Sequence, residues 1–409
     1  MYILTLNAGS SSIKYHLVNT DTHASVIRGE INGIHQRDCA HHYTVADNNG
    51  RQDEERRRPL PDAPHNQALQ DIVEVLTESF PRLHIDAVGH RVVHGADRYR
   101  HPTIIDDQVA AQLADLDPLA PLHNPANRAG ITLARRHWPG AVHVAVFDTG
   151  FFGELPHVTR HYPLPLAVTQ RYGIRRYGFH GIAHQHLVAE TAAFLGKPLK
   201  TLNLITLHLG SGASLAASRG GRCIDTSMGM TPLAGVMMST RSGDIDPSIL
   251  FFLQRQHGFT VERLEAMLNH DSGLQGLCGT PDMREVHHRR HAGDTTAQQA
   301  FDMFCYRIRH YLGAYLVALG RVDALVFSGG IGENDPQTRD AVCSGLSAYG
   351  IILDPAANRA NRRDRRAIHH ESASTSILVI PANEELAIAR QTEAALHRRQ
   401  HAPDTPASR

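Results

Sequence analysis

The sequence lacks the features that mark several large classes of protein. Across 409 residues, basic and acidic side chains balance at 41 each, so no broad field of one sign points to nucleic acid or a membrane as partner. No stretch reaches the roughly 18 apolar residues that a membrane helix needs, and no secretory signal is recognisable at the start. The five cysteines are scattered without CxxC spacing, which favours reduced thiols in the cytoplasm over a zinc site or disulfide framework.

The sequence does contain short apolar strands that alternate with helical patterns, which is typical of α/β layers. Strands are predicted at Asp86–Val93 and Ala141–Phe147, and helices at Asp107–Leu116 and Gln298–Leu319. Gln36–His65 is dense in charge, His, Asn and Pro and is predicted to be poorly ordered, with its arginine run as a solvated loop. The length favours two or three domains.

A strand, a turn of small residues and a second strand occur twice. Aligning LTLNAGSSSI, which begins at residue 4 in the first half, with ITLHLGSGAS, which begins at residue 205, gives four identities, at Thr5/Thr206, Leu6/Leu207, Gly9/Gly210 and Ser10/Ser211. This repetition predicts two similar domains that face one another.

Three loops are candidates for phosphate binding, because turns of small residues let backbone N–H groups approach an anion. The first is Asn7–Lys14, where serine hydroxyls and the lysine add donors. The second is Gly210–Gly212. The third, Gly329–Asn334, follows a predicted strand and precedes a helix that Pro336 opens, so a nucleotide could approach the helix N-terminus. It is neither a Walker A sequence nor a Rossmann fingerprint, and an ordinary turn remains the alternative for each loop.

Three charged residues stand at positions suited to catalysis. Asp148 follows an apolar strand, where a carboxylate can hold a divalent metal, although an Asx turn would use it too. The planar guanidinium groups of Arg91 and Arg241 can bind a carboxylate or phosphate bidentately, and a structural ion pair is the alternative for each. The 29 histidines are too many for any one to be assigned from its type. Together these features favour phosphoryl transfer, which needs positioning and charge neutralisation more than covalent catalysis.

From its start to about residue 395 the chain resembles the acetokinase (acetate kinase) family, within the actin, sugar-kinase and Hsp70 fold group. Nine ordered motifs carry the resemblance: NAGSSSIKY at 7–15, GHRVVHG at 89–95, APLHNP at 120–125, FDTGF at 147–151, YGFHG at 177–181, HLGSGAS at 208–214, DTSMGMTPLAGVMMSTRSGDIDP at 225–247, FSGGIGEN at 327–334 and NEELAIAR at 383–390.

The resemblance implies an α/β fold of two duplicated, actin-like (ribonuclease H-like) domains flanking a nucleotide cleft. The first domain would cover 1–150, with a helix at 383–398 packing back on it. The second, at 151–382, would bind nucleotide and form a homodimer, and 399–409 would be a disordered tail.

The resemblance also implies an activity, the Mg²⁺-dependent transfer of a phosphoryl group between ATP and acetate, with Mn²⁺ as an alternative ion. Its partners would be ATP or ADP and a short-chain carboxylate or acyl phosphate, without nucleic acid or membrane.

The resemblance assigns site residues in four groups. The metal would be held by Asn7 and Glu384. The substrate carboxylate would be bound by Arg91, with an apolar pocket for its methyl group formed by Val93, Leu122, Phe179 and Pro232. Catalysis would use Arg91 together with Asp148, as catalytic acid or metal-proximal carboxylate, and His180 and Arg241, which stabilise the transferred group. The nucleotide would be bound by Ser10, Ser12, Lys14, His208, Leu209, Gly210, Ser211, Gly212, Asp282, Met283, Arg284, Gly330, Ile331, Gly332, Glu333 and Asn334.

The sequence departs from the family pattern at several positions near these motifs. Ser211 stands where asparagine is usual in the nucleotide loop, and the other departures are Gly150, Phe152, Ile182, Ala183 and Ser239. Three alternatives therefore stay open: a propionate or butyrate kinase of the same family, a catalytically weak relative, and a nucleotide-switched binding protein like actin or Hsp70. The last would need nucleotide loops but no carboxylate clamp.

Overall fold

The structure of the protein is a computed structural model that describes residues 1–9, 11–22, 24–46, 55–121, 123–360, 362 and 364–400. The chain divides into two compact units, one formed by Met1–Gly150 with the C-terminal segment from Asn383, and the other by Phe151–Ala382. Within the described ranges, no helix combines the length and the apolar character needed to cross a membrane.

The first unit is built on an eight-stranded sheet. Its strands are β1 (Tyr2–Ala8), β2 (Ser12–Asn19), β3 (Ala24–Asn32), β4 (Ala40–Val45), β5 (Arg56–Pro59), β6 (Ala87–Val92), β7 (Thr103–Ile104) and β8 (Val142–Phe147). Its helices are α1 (His65–Ser79), α2 (Asp107–Ala114), α3 (Asn124–His137) and the C-terminal helix (Glu384–Gln400). The strand order is β5-β4-β3-β2-β1-β6-β8-β7, in which only β1–β6 and β6–β8 pair in parallel.

The second unit holds a six-stranded sheet and most of the helices. Its strands are β9 (Asn203–Leu209), β10 (Ala213–Arg219), β11 (Arg222–Thr226), β12 (Ala324–Ser328), β13 (Arg366–Ala367) and β14 (Ser376–Val379). Its helices are α4 (His157–Arg160), α5 (Leu166–Tyr172), α6 (Gly181–Leu195), α7 (Ser248–His257), α8 (Val261–His270), α9 (Gly273–Cys278), α10 (Met283–His291), α11 (Thr295–Leu319), α12 (Gly329–Asn334), α13 (Pro336–Cys343) and α14 (Pro355–Arg359). Short 3-10 turns lie at Asp117–Leu119, Gly150–Phe152, Leu199–Thr201 and Ser347–Tyr349.

The two sheets repeat one topology, which confirms the predicted duplication. The second sheet runs β11-β10-β9-β12-β14-β13, and it matches β3-β2-β1-β6-β8-β7 in strand order and in every parallel or antiparallel pairing. Thr5 and Thr206 occupy the same place in this scheme. Thr5 donates its hydroxyl hydrogen to the carbonyl of His16 across the strand pair, at 3.1 Å, and Thr206 donates to Ala216, at 3.4 Å.

The apolar runs that predicted the central strands are buried on both faces, as strands between two helix layers must be. On one face of the first sheet, Leu4 and Leu6 pack in a core with Leu69 and Ile72 of α1. The C-terminal helix covers β1 and β6 on the first sheet. It packs closely there because Gly89 has no side chain; an added Cβ would lie 2.3 Å from the Thr392 hydroxyl.

The prediction for Gln36–His65 is wrong over most of its described length. This region supplies β4 and β5, which pair with each other at the edge of the sheet, and residues 47–54 lie outside the described part of the chain. The arginine run is not a free loop, since Arg58 donates to Asp71 at 3.0 Å and to Glu78 at 3.1 Å on α1. Charged side chains are common on edge strands, so their density gave a misleading signal.

Candidate active site

Three neighbouring strands of the first unit bring Asn7, Arg91 and Asp148 together. Arg91 lies near the end of β6, and Asp148 directly follows β8, its parallel neighbour. The Nε and Nη2 atoms of Arg91 donate to Asp148 Oδ2 at 3.0 and 2.5 Å, and Nη1 donates to Asn7 Oδ1 at 3.1 Å. These bonds use three of the five N–H donors of the guanidinium, so two remain that can bind a carboxylate.

The charge around Arg91 is dominated by carboxylates of its own unit. Burial alone would lower the pKa of the Arg91 guanidinium, but Asp148, Glu384 and Glu385 outweigh it and hold that pKa above its ordinary value. Burial raises the pKa of the Glu385 carboxyl, and neighbouring Glu384 acts in the same direction. Two glutamates at the start of the C-terminal helix therefore lie close enough to Arg91 to be felt electrostatically.

The oxygen atoms of this cluster suit a hard divalent metal. No group of three or more His, Cys, Asp or Glu side chains that could hold a metal occurs among the described residues. Asn7 and Glu384 would supply one amide and one carboxylate oxygen. Magnesium is usually bound by only one or two protein groups, with water and substrate phosphates completing the octahedron, so this small set fits the ion.

Two asparagines of α3 hold the chain that follows Arg91, and the sequence analysis did not assign them. Asn127 accepts from the backbone N–H of Val93 at 3.1 Å and donates to the carbonyl of Ala8 at 2.5 Å. Asn124 accepts from the N–H of His94 at 3.1 Å. Both asparagines are buried. The only signal in the sequence was their place in and beside the APLHNP motif, because nothing local shows which distant backbone they reach.

Lys14 extends from β2 into a cleft of about 390 Å³ in the same unit. Its ammonium lies 3.8 Å from a Glu30 carboxylate oxygen, and Glu385 also lines the cleft. Ser12 closes the preceding turn, where its carbonyl accepts from Gly9 N–H at 2.8 Å. Ser10 lies outside the described residues. Lys14 is thus a half-exposed cation that a phosphate could reach.

In the second unit, His180 and Arg241 meet at the turn between β9 and β10. A Cβ added to Gly212 would lie 3.4 Å from His180 Nε2 and 3.5 Å from Arg241 Nη1. His180 has left-handed backbone angles immediately before α6, and its Nδ1 bonds the Ser214 hydroxyl at 2.9 Å. Burial lowers the pKa of Arg241, but from a value so high that the group stays charged. Two nitrogen donors therefore converge on a backbone that has no side chain in the way.

A separate cleft of the second unit has a volume of about 700 Å³, the size of a small-molecule pocket. Eight predicted nucleotide residues line it: Gly210, Ser211, Asp282, Met283, Arg284, Gly330, Ile331 and Asn334. Residues that the prediction omitted line it too, among them Ser239, His287 and Gln337. At Gly330 no atom lies within 4 Å of an added Cβ, so the start of α12 is open to a ligand. His208, Leu209, Gly212 and Gly332 were predicted as contacts but do not line this cleft.

The role of Glu333 in binding nucleotide stays a prediction, and the structure shows what its side chain bonds. Its carboxylate accepts from the backbone N–H groups of Gly329 and Ala382, both at 3.0 Å, and it does not line the cleft. Gly329 has a φ of +77° and approaches the Leu209 carbonyl so closely that a Cβ would lie 2.6 Å from its oxygen. The Glu333 carboxylate therefore helps to hold the glycine loop in place.

The predicted methyl-pocket residues fall in different parts of the chain. Val93 is buried in the first unit. Phe179 is buried in the second unit, where the Pro232 carbonyl accepts from Arg241 Nη1 at 3.3 Å. Leu122 lies outside the described residues. A shared role in binding the acyl group stays a prediction.

The motifs and geometry can now be compared with known proteins. The sequence model of the acetokinase family matches residues 2–390. The chain belongs to the acetokinase family. The predicted family is therefore confirmed.

Among its relatives, this acetokinase is 45% identical over 398 residues to the acetate kinase of Syntrophobacter fumaroxidans, with 96% of each chain covered. It is 45% identical to that of a Sulfurovum species, over 97% of this chain and 100% of the relative.

Solved structures of the family resemble this acetokinase closely. The propionate kinase of Francisella tularensis superposes with a TM-score of 0.89 at 36% identity, covering 96% of this chain and 99% of that one. The acetate kinase of Porphyromonas gingivalis superposes with a TM-score of 0.87 at 37% identity, covering 97% and 99%. The predicted fold class is confirmed.

Proposed function

We propose that this acetokinase is an acetate kinase, which transfers the γ-phosphoryl group of ATP reversibly to acetate, giving acetyl phosphate and ADP. The observation that carries the proposal is Arg91. It is a largely buried cation, fixed by Asp148 and Asn7, with two N–H donors left for a carboxylate. A nucleotide-switched binding protein would have no use for such a clamp. The names of the relatives at 45% identity support acetate as the acceptor.

The chemistry asks for positioning and charge neutralisation. A carboxylate is ionised at neutral pH, so its oxygen can attack the γ-phosphorus in line without a strong general base. Arg91 orients the carboxylate beside Asp148, and His180 and Arg241 donate to the oxygens of the transferred group. Lys14 would contact the phosphates of the nucleotide. Mg²⁺, or Mn²⁺ in its place, held by Asn7 and Glu384, would neutralise charge on the β- and γ-phosphates.

The acceptor's chain length is the finer part of the proposal. Val93 is compatible with a small acyl pocket, but the Francisella tularensis relative is named a propionate kinase. One methylene in an apolar pocket changes discrimination by only about 1–3 kcal/mol, so neighbouring acids should be turned over too. We propose that acetate has the highest kcat/KM, with propionate second and butyrate third.

The test is a steady-state assay with ATP and Mg²⁺ in which hydroxylamine traps acyl phosphate. Arg91→Ala should abolish turnover, and Arg91→Lys should recover little of it, because an ammonium cannot reproduce the fork. Arg98→Ala is the matched control, since that arginine forms an exposed ion pair with Asp115 away from the cluster. A preference for propionate or butyrate would overturn the assignment of acetate. If ATP bound but no acid gave acyl phosphate, the nucleotide-switched alternative would take its place.

We also propose that the protein acts as a homodimer in the cytoplasm, with the second unit forming the dimer interface. Among the described residues, every large apolar side chain that is markedly exposed belongs to this unit, including Leu166 on α5 and Phe251 and Phe252 on α7. All five cysteines are buried free thiols, as suits a reducing compartment. Light scattering should give twice the chain mass of 45.0 kDa, and Phe252→Glu should give the monomer. A monomeric wild type would contradict the dimer.

A further inference from the structure

A buried chain of hydrogen bonds leads away from His180 in the second unit. His180 Nδ1 lies 2.9 Å from the Ser214 hydroxyl, and the same hydroxyl lies 2.8 Å from His184 Nε2. On its other side, His184 Nδ1 lies 2.7 Å from the Thr206 hydroxyl. His184, Ser214 and Thr206 are at most 1% exposed. None of these three was predicted from the sequence as a site residue, and the proposed mechanism does not yet use them.

The direction of this chain follows from the single hydrogen of each hydroxyl. The Thr206 hydroxyl lies 3.4 Å from the carbonyl oxygen of Ala216, and if its hydrogen is directed there, its oxygen accepts from His184 Nδ1–H. Thr5, the equivalent residue of the first sheet, makes the same bond to a facing carbonyl, which supports this orientation. Burial, and then the neighbouring His208, hold the pKa of His184 well below its ordinary value. A neutral His184 with its proton on Nδ1 has an acceptor at Nε2.

The remaining steps follow in order. Ser214 must donate its hydrogen to His184 Nε2, so its oxygen can only accept from His180. His180 therefore carries a proton on Nδ1, the nitrogen that faces Ser214, and any second proton belongs on Nε2. Nε2 is the atom that faces Gly212 and Arg241. The orientation of one threonine hydroxyl thus determines which nitrogen of His180 is protonated.

We propose that Thr206, His184 and Ser214 act as positioning residues that keep the proton of neutral His180 on Nδ1, so that Nε2 donates to the transferred phosphoryl group only when His180 is an imidazolium. This rests on the proposed function. Phosphoryl oxygens only accept hydrogen bonds, so neutral His180 would turn a lone pair towards them and the donor would be lost. The turnover number should therefore fall as His180 loses its Nε2 proton.

The charged and titratable groups around His180 in its unit are consistent with this dependence. Arg241 faces Nε2 from the segment after β11, the ring of His208 lies 4.8 Å away on β9, and His184 lies beyond Ser214, on α6. Arg241 opposes a second positive charge nearby. The negative phosphoryl group favours that charge, so the donor would form when substrate binds.

The test compares Thr206→Val with Thr5→Val. Both changes replace a buried threonine at the same position of a duplicated strand by a residue of nearly equal shape, and both remove one bond to a facing carbonyl. Only Thr206→Val frees the direction of the hydrogen-bond chain, because His184 Nδ1 loses its fixed acceptor. Neutral His180 can then carry its proton on Nε2. Thr206→Ser keeps the hydroxyl and should restore wild-type behaviour.

The readout is the pH dependence of kcat, which reports ionisations of the bound complex. In wild type and Thr5→Val, kcat should fall about tenfold per pH unit on the alkaline side of the profile. In Thr206→Val, kcat should level off on the alkaline side and be about tenfold higher than in wild type at two pH units above the midpoint of the wild-type decline. His180→Gln has no titrating ring, so its kcat should not show this alkaline decline. The proposal would be overturned if the kcat profiles of all threonine variants superimposed, or if the alkaline decline persisted in His180→Gln.

A second measurement does not depend on turnover. Nitrogen NMR of ¹⁵N-histidine-labelled protein, with the His180 signal identified by its loss in His180→Gln, should show neutral His180 protonated at Nδ1 in wild type and at Nε2 in part of the Thr206→Val population. Protonation at Nε2 in wild type would refute the relay even if the enzyme were active. If wild type made no acyl phosphate, the proposed function would fail while the NMR result could still stand.

Discussion

Asn127 offers a stringent test of how the substrate end of the site is held. Changing Asn127 to alanine removes the acceptor of the Val93 N–H and the donor to the Ala8 carbonyl, which are bonds of 3.1 and 2.5 Å. Val93 is two residues beyond Arg91, and Ala8 follows Asn7, so one side chain ties together the two strands that present the clamp. Leaving each buried backbone group unpaired costs about 1–3 kcal/mol, which gives a loss of about 2–6 kcal/mol in the free energy of unfolding.

The assay has a stability arm and a kinetic arm. Urea unfolding should show the lower stability, and steady-state kinetics at a temperature where the variant is folded should show a larger rise in KM for acetate than for ATP. Asn358→Ala is the control, because Asn358 is also buried and also makes two strong bonds, to Arg339 at 2.7 Å and to the Pro336 carbonyl at 2.9 Å, but in the second unit. It should lose stability without a selective effect on acetate. Equal changes of the acetate KM in both variants would refute the reasoning.

Three further predictions follow from single contacts. Gly212→Ala places a methyl group 3.3–3.5 Å from His180 and Arg241. The kcat should therefore fall by about 10²-fold or more, while the protein still unfolds at the wild-type urea concentration. An unchanged kcat would contradict the inference that His180 and Arg241 converge on this turn. Glu333→Ala removes the oxygen that accepts from two backbone N–H groups, so the KM for ATP should rise while the KM for acetate stays the same; a selective rise for acetate would count against a role in the nucleotide loop. Burial raises the pKa of Asp71, but its bonds to His41 and Arg58 outweigh this effect and hold that pKa below 3.8. The stabilisation that Asp71 gives the folded protein is therefore complete above pH 3.8 and is lost as the pH falls through the lower folded value. Urea unfolding at pH 5 and 3 should show this loss in wild type but not in Asp71→Asn.

The sequence predicted those parts of the fold that local patterns control. The turn between β1 and β2 and its counterpart between β9 and β10 were recognised because small residues separate two apolar runs within a few positions. Asp148 was recognised as a strand-end carboxylate because it directly follows an apolar run. The family resemblance then supplied the roles that no local pattern could give to His180 or Glu384.

The contacts that were missed join residues that are far apart in the chain. Asn127 and Ala8 are 119 positions apart, and Ser214 and His180 are 34 apart, so no periodicity links them. The edge strands β4 and β5 were missed because their charges are satisfied by α1, which a composition rule cannot anticipate. The bond from the Gly329 N–H to the Glu333 carboxylate was missed because the motif was transferred from the family as a block.

Two departures from the family pattern are neighbours in the nucleotide cleft. Ser239 donates its backbone N–H to the Ser211 carbonyl at 3.2 Å, and both residues line the cleft. Because the bond joins backbone atoms, it does not depend on which side chains occupy these positions. The substitutions therefore change the side chains that line the cleft without removing this backbone bond.

The C-terminal helix gives the protein a fixed order of assembly during synthesis. The ribosome produces Met1–Gly150 before the whole of Phe151–Ala382, and it produces the helix that covers β1 and β6 after both. Until that helix emerges, one face of the first sheet, including the surface around Gly89, stays uncovered, and Glu384 is absent from the neighbourhood of Arg91. The second unit has its complete sequence earlier and can fold while the first still waits. A chain truncated just before Asn383 therefore holds all of the second unit but lacks the segment that completes the first.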